Sequence, residues 1–333
     1  MKTISLAALG SYLPETIIEN SFFDIDSSSS ASMFKGTRLR RHVAPGESGA
    51  SMIHKAALDL QARIGEAAVR EVDILLTNVS IPDQFFTGCG ASVVHKLGCR
   101  PKRIIDMHNA GCVAFIAMLE VARDLINSGA GKTALLCCAQ NAGGRMYSQP
   151  GNRSRAQSAI PGDGCGVGYV VANDSSPIRS ITTQVYGDFA DDMQATNDDG
   201  TAWYEPHQSC HYLDFAEHRI GKIVARGNRL VPDAVKEACK LAEIAPQDIS
   251  FLSTNQPSPI FLRNWREALQ LPREKQLESF ETFGNMFGAA IQVNLAAAVR
   301  DKRIGQNQYV ALGGFAHAGD YAAAAIWQPG NVL

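Results

Sequence analysis

Charge is scarce in this 333-residue chain: 31 Lys and Arg face 33 Asp and Glu, 19% of all residues, for a formal net charge of −2. That balance excludes the clustered cationic surface a nucleic-acid binder needs. Long apolar runs are missing too. None approaches the roughly 20 residues of a membrane span, and residues 1–10 are too short for a signal peptide. We therefore expect a cytoplasmic protein that meets neither nucleic acid nor membrane. The eight cysteines (89, 99, 112, 137, 138, 165, 210 and 239) include no C-x-x-C pair. A structural zinc site is excluded on that spacing, and no metal is expected. A disulfide framework is not expected at this length, so most of the eight should be small buried apolar residues.

What is present is a core. Hydrophobic residues make up 45% of the chain, and the length suits about two domains. Short apolar runs such as Ile74-Leu75-Leu76, Ala134-Leu135-Leu136-Cys137 and Tyr309-Val310-Ala311-Leu312 alternate with helix-period segments. That alternation predicts an α/β fold with buried strands. Local similarities recur at a common offset of 177: Thr77-Asn78 with Thr254-Asn255, and Arg123-Asp124 with Arg300-Asp301. The repeat predicts two similar halves, 1–174 and 175–333, joined near 173–177. Segment 189–212, rich in Asp, Asn, Gly and His, reads as an inserted loop, and the serine run 27–30 as a second polar excursion.

Cys112 follows Asn109-Ala110-Gly111 and precedes the helical pattern Phe115, Met118, Leu119, Ala122. A cysteine where a turn enters a helix meets unpaired N–H groups and the positive end of the dipole, which favour a thiolate. A buried structural cysteine is the plain alternative. The glycine-rich stretch 162–168 runs into a strand rather than a helix, so it is no phosphate loop. Asn285 either caps the following helix or aims its amide into a cleft. In Gly313-Gly314-Phe315-Ala316-His317-Ala318-Gly319-Asp320, backbone N–H groups suit an oxyanion hole, His317 suits a base, and Asp320 can orient it.

These residues together resemble the thiolase superfamily, and within it the β-ketoacyl-carrier-protein synthase III family, over nearly the whole chain. The resemblance rests on Asn109-Ala110-Gly111-Cys112, Gly162-Asp163-Gly164, Phe283-Gly284-Asn285, segment 298–304 and Gly313-Gly314-Phe315. It implies a five-layered αβαβα fold of two duplicated halves, a homodimer, and a Cys112 nucleophile acylated from coenzyme A or an acyl carrier protein. It implies no tightly bound cofactor. Asn285 matches the family's asparagine. The family's catalytic histidine is replaced by Asn255, and an amide is no base near neutral pH. His317, oriented by Asp320, is expected to supply the missing base, with the N–H groups of Cys112 and of Gly314–Phe315 holding the oxyanion. Absence of a Trp around 34–38 points to a carrier-protein donor, which Arg263 and Arg266 would contact through phosphate or acidic side chains.

The expected function is transfer of an acyl group through acyl-Cys112 to a small hydroxyl, amine or thiol acceptor in specialised metabolism. The alternatives are a decarboxylating synthase that primes a polyketide or fatty acid, using His317 with Asn255 and Asn285, and a non-catalytic partner subunit.

Overall fold

The computed structural model describes residues 3–25, 36–215 and 217–330. The serine run 27–30 and residues 34 and 35 lie outside them. The chain opens with β1 (Ser5–Tyr12) and a ribbon of β2 (Thr16–Glu19) and β3 (Leu39–His42). Helices α1 (Gly49–Ile64) and α2 (Glu66–Arg70) lead to β4 (Ile74–Val79), and α3 (Gly90–Leu97) to β5 (Arg103–Asp106). Next come α4 (Ala114–Asn127), β6 (Thr133–Gln140) and β7 (Gly164–Val171). Beyond a short link run β8 (Ile178–Val185), β9 (Met193–Thr196), β10 (Tyr212–Phe215), α5 (Ile220–Leu241) and β11 (Ile249–Thr254). The last elements are α6 (Pro259–Ala268), β12 (Gln276–Leu277), α7 (Phe280–Phe283), α8 (Ala290–Arg300), β13 (Tyr309–Ala316) and β14 (Tyr321–Trp327).

Two five-stranded sheets carry the fold, ordered β1-β7-β6-β4-β5 and β8-β14-β13-β11-β12. Strand for strand they match, including which neighbours run parallel. The change of sheet falls between Val171 and Ile178. One detail departs from the 177-residue repeat: β6 and β13 begin 176 residues apart, at 133 and 309.

The layer order follows from which helices are apolar all round. α4 buries 8 of its 14 residues, including the whole run Ala114 to Leu119, and α8 buries 8 of its 11. A helix of that kind belongs inside the molecule, and both lie between the sheets in one central core. By contrast, α1 and α5 are amphipathic and bury one face on the outer side of the first and second sheet. The result is the αβαβα arrangement. Serines cap two outer helices: Ser48 accepts from Ser51 N–H ahead of α1, and Ser258 from Phe261 N–H ahead of α6. Among the described residues no helix is long and apolar enough to cross a membrane.

Candidate active site

The 3-10 turn Gly111–Val113 delivers Cys112 to the start of α4. Gly111 has φ +43°, and a Cβ there would collide with Nε2 of His317. Only glycine lets the histidine ring lie against this turn. Cys112 is half-buried. Burial pushes its thiol up to about 12; a hydrogen bond from Asn255 opposes that, and the Asp320 charge adds to it. Set against the expected thiolate, this burial favours the neutral thiol, which needs a base to become a nucleophile.

His317 supplies a ring beside it. The turn between β13 and β14, His317–Gly319, has φ +45° at His317 and +63° at Ala318. Nδ1 of His317 lies 3.2 Å from Asp320 Oδ1. Burial raises the Asp320 carboxyl, and His317 pulls it back down. With a proton on Nδ1 facing Asp320, the Nε2 lone pair faces the Cys112 turn. His317 and Asp320 thus lie together beside the Cys112 turn.

Asn255 is buried at the end of β11. Its Nδ2 donates to the Phe315 carbonyl at 3.1 Å, and its Oδ1 accepts from Phe315 N–H at 3.4 Å. The expected oxyanion donors are corrected by the same geometry. The Phe315 N–H is engaged by Asn255, and Gly314 does not line the cavity. A Cβ on Gly314 would sit 2.7 Å from Asn255 Oδ1, so glycine is needed there for close packing. The Cys112 N–H remains at the site. Asn285 lines the cavity, and its Oδ1 accepts from Phe287 N–H at 3.0 Å ahead of the turn Phe287–Ala289. It does not cap α8, whose N-cap is Ala289 with no side-chain bond.

The cavity around these groups is about 960 Å³ and mainly apolar, at the upper end for small-molecule sites. Inserted segment 189–212 forms part of its wall. There β9 pairs with β10, and Met193, Ala195, Trp203 and Leu213 face inward. Trp203 meets Phe85 at 4.7 Å, which in turn meets Phe86 at 4.9 Å. Among the described residues lining the cavity there is no Lys or Arg. Arg263 is exposed on α6, and Arg266 pairs with Glu267 at 3.3 Å; neither borders the cavity. Trp265 is core, packed on Phe261 and Phe315.

Sequence reasoning missed Tyr147. The glycine-rich strand explains its placement. Asp163 accepts N–H bonds from Val43, Gly143 and Gly144 at 2.7–2.8 Å, fixing the π-helical turn Gly143–Tyr147. Buried Tyr147 lines the cavity near Cys112, and its hydroxyl has no hydrogen-bond partner among the described residues. A π-turn, which has no periodic sequence signal, hid it. Of the other cysteines, six are buried and Cys210 is half-buried; Cys89 also borders the cavity.

The family model for 3-oxoacyl-[acyl-carrier-protein (ACP)] synthase III matches residues 105–188, and that for its C-terminal part matches residues 239–328. The chain is 27% identical to β-ketoacyl-[acyl-carrier-protein] synthase III 1 of Deinococcus radiodurans, over 99% of this chain and 96% of that one. Its structure is similar to that of β-ketoacyl-[acyl carrier protein] synthase III from Thermus thermophilus, with TM-score 0.84, 27% identity, and 98% and 100% of the two chains covered. The priming β-ketosynthase of the R1128 polyketide pathway shares the fold at TM-score 0.82 and 20% identity, over 99% of this chain and 97% of that one.

Proposed function

Starting from a chain that belongs to the 3-oxoacyl-[acyl-carrier-protein] synthase III family, we propose that it is an acyltransferase of specialised metabolism. It moves an acyl group from a carrier-protein or coenzyme A thioester, through acyl-Cys112, to a hydroxyl, amine or thiol. No tightly bound cofactor takes part. The observation that carries this reading is the His317–Asp320 pair at the Cys112 turn: His317 lies against the turn with Asp320 behind it. On the resemblance, Asn255 stands where the family has its histidine, and its amide bonds the Phe315 peptide.

The steps balance with one proton shuttle. Nε2 of His317 takes the Cys112 proton as sulfur attacks the thioester carbonyl, then gives it to the leaving pantetheine sulfur. In the second half, the same nitrogen takes the proton of the acceptor as it attacks acyl-Cys112 and returns it to the cysteine. The Cys112 N–H stabilises the oxyanion, and Asp320 holds the tautomer.

Exposed Arg263 is our candidate for carrier contact, since Phe261 in the first turn of its helix, and Pro257 just before that helix, border the cavity. We further propose a homodimer across β5. That strand is a sheet edge with Ile104 exposed, and Phe86 elsewhere on the surface is 94% exposed. Sedimentation of Ile104→Glu against wild type checks this: a monomeric variant is expected, and a monomeric wild type would contradict it.

The test of function is a mass measurement. Protein is incubated with butyryl, octanoyl and benzoyl thioesters of coenzyme A and of an acyl carrier protein. A Cys112 adduct with at least one donor is expected, discharged by ethanolamine or methyl glucoside in wild type and far more slowly in His317→Ala. No adduct with any donor would leave the non-catalytic partner reading standing.

A further inference from the structure

Arg226 reaches from α5 to the turn that carries His317. Its Nε and Nη2 donate to the Ala318 carbonyl at 3.1 and 2.7 Å. Nη2 also meets Asp192 Oδ2 at 2.6 Å, and the guanidinium lies 3.6 Å from the Phe189 ring centre. The pair is deeply placed, with the Arg226 side chain 9% exposed and that of Asp192 3%. Arg219 completes it, with Nη1 at 2.5 Å from Asp192 Oδ1. A buried carboxylate with two guanidinium partners is fixed in place, because losing either leaves charge stranded.

The turn it grips needs a restraint. His317 and Ala318 are consecutive non-glycine residues in the left-handed region, and each such residue costs roughly 1–2 kcal/mol. Gly319 follows at φ +113°, and a Cβ on it would lie 2.6 Å from Arg226 Nε. Glycine there makes the groove in which the guanidinium lies. On the far side, Tyr186 N–H donates to the Asp320 carbonyl at 2.6 Å. The segment Gly187–Asp192, which leads into the β9 wall of the cavity, is therefore tied to the histidine turn from both ends.

We propose that Arg226, held by Asp192, is a positioning residue that locks the left-handed His317–Ala318 turn and so keeps the His317 ring against the Cys112 turn. The proposal rests on the reading of His317 as the base. Arg226 touches neither the thioester nor Cys112; it acts through the Ala318 carbonyl. Lysine cannot replace it fully, because one ammonium does not reproduce the fork that serves Ala318 and Asp192 together.

The experiment is pre-steady-state acylation of Cys112 by butyryl-coenzyme A, followed by intact mass, in wild type, Arg226→Met, Arg226→Lys, Asp192→Asn and His317→Ala. Arg226→Met is expected to slow acylation about 10- to 100-fold, the scale of a misplaced catalytic group. KM should stay near wild type and the final adduct should still approach one per chain. Arg226→Lys and Asp192→Asn should fall between. A merely structural role would instead lower the final stoichiometry and the melting temperature while the folded fraction reacts at the wild-type rate; that result overturns the proposal. Should Arg226→Met fail to fold, Asp192→Asn, which keeps shape and removes the charge, decides by the same readout. If His317→Ala itself acylates at the wild-type rate, the base reading fails. If His317→Ala is slow while the folded Arg226 and Asp192 variants are fast, only the positioning proposal fails.

Discussion

The turn that starts α4 and the turn that starts α8 occupy equivalent places in the two halves, Gly111–Val113 in one and Phe287–Ala289 in the other. Each begins on a left-handed residue, Gly111 at φ +43° and Phe287 at +44°. One turn carries Cys112 in its middle; the other carries Gly288. Packing forces the difference. The turns face each other at the centre of the molecule, and a Cβ on Gly288 would lie 2.7 Å from the Gly111 carbonyl oxygen. Only one of the two central positions has room for a side chain. The strands beside them repeat the pattern. Asn78 at the end of β4 donates to the Met107 carbonyl at 2.8 Å, and Asn255 just beyond β11 donates to that of Phe315. The two halves thus carry two clamped turns, and in the proposed function Cys112 sits on one half while its base, His317, comes from the other.

The comparison is sharpest at the nucleophile. Cys112→Ala should abolish the acyl adduct and lower transfer by more than about 10⁴-fold, as loss of a covalent nucleophile does; intact mass and product assay check this. Next in size is His317→Ala, expected to slow transfer by about 10²–10⁴-fold in stopped-time discharge of acyl-Cys112. A variant that discharges at the wild-type rate would break the division of labour between halves.

Smaller effects probe packing. Gly288→Ala should destabilise by about 1–3 kcal/mol through overpacking, read from urea unfolding. An unchanged midpoint would mean the facing turns have slack. Asn255→Ala should cost about 1–3 kcal/mol, because it strands the buried Phe315 peptide groups. It should also slow acylation, having removed the hydrogen bond to the Cys112 thiol. Asn78→Ala should show only a stability loss. Equal kinetic effects from both would say the two amides are not functionally distinct.

The thiol gives a pH test. With its ionisation raised to about 12, the thiolate fraction at neutral pH is small and grows tenfold per pH unit. Iodoacetamide labelling of Cys112 should therefore keep rising from pH 7 to 10. A plateau below pH 8 would indicate a preformed thiolate–imidazolium pair.

Much of this was legible in the sequence because it is local or periodic. The strand runs, the apolar all-round α4 and the offset between Asn78 and Asn255 follow from short-range patterning. Cys112 was marked by a small-residue turn before a helix. What escaped depends on distant partners. Short-range patterning says nothing about Asn255 closing on the Phe315 peptide, 60 residues away. Nor does it show that burial would keep Cys112 protonated. Arg226 and Asp192 lie 34 residues apart on a helix and in an insertion, and only the folded chain brings them to the His317 turn.

The account turns on transfer without decarboxylation. The most direct measurement is carbon dioxide released from carboxyl-labelled malonyl-acyl carrier protein by protein already acylated on Cys112. No release above the protein-free blank is predicted. Release by wild type that disappears in His317→Ala would contradict the account and make the chain a condensing enzyme.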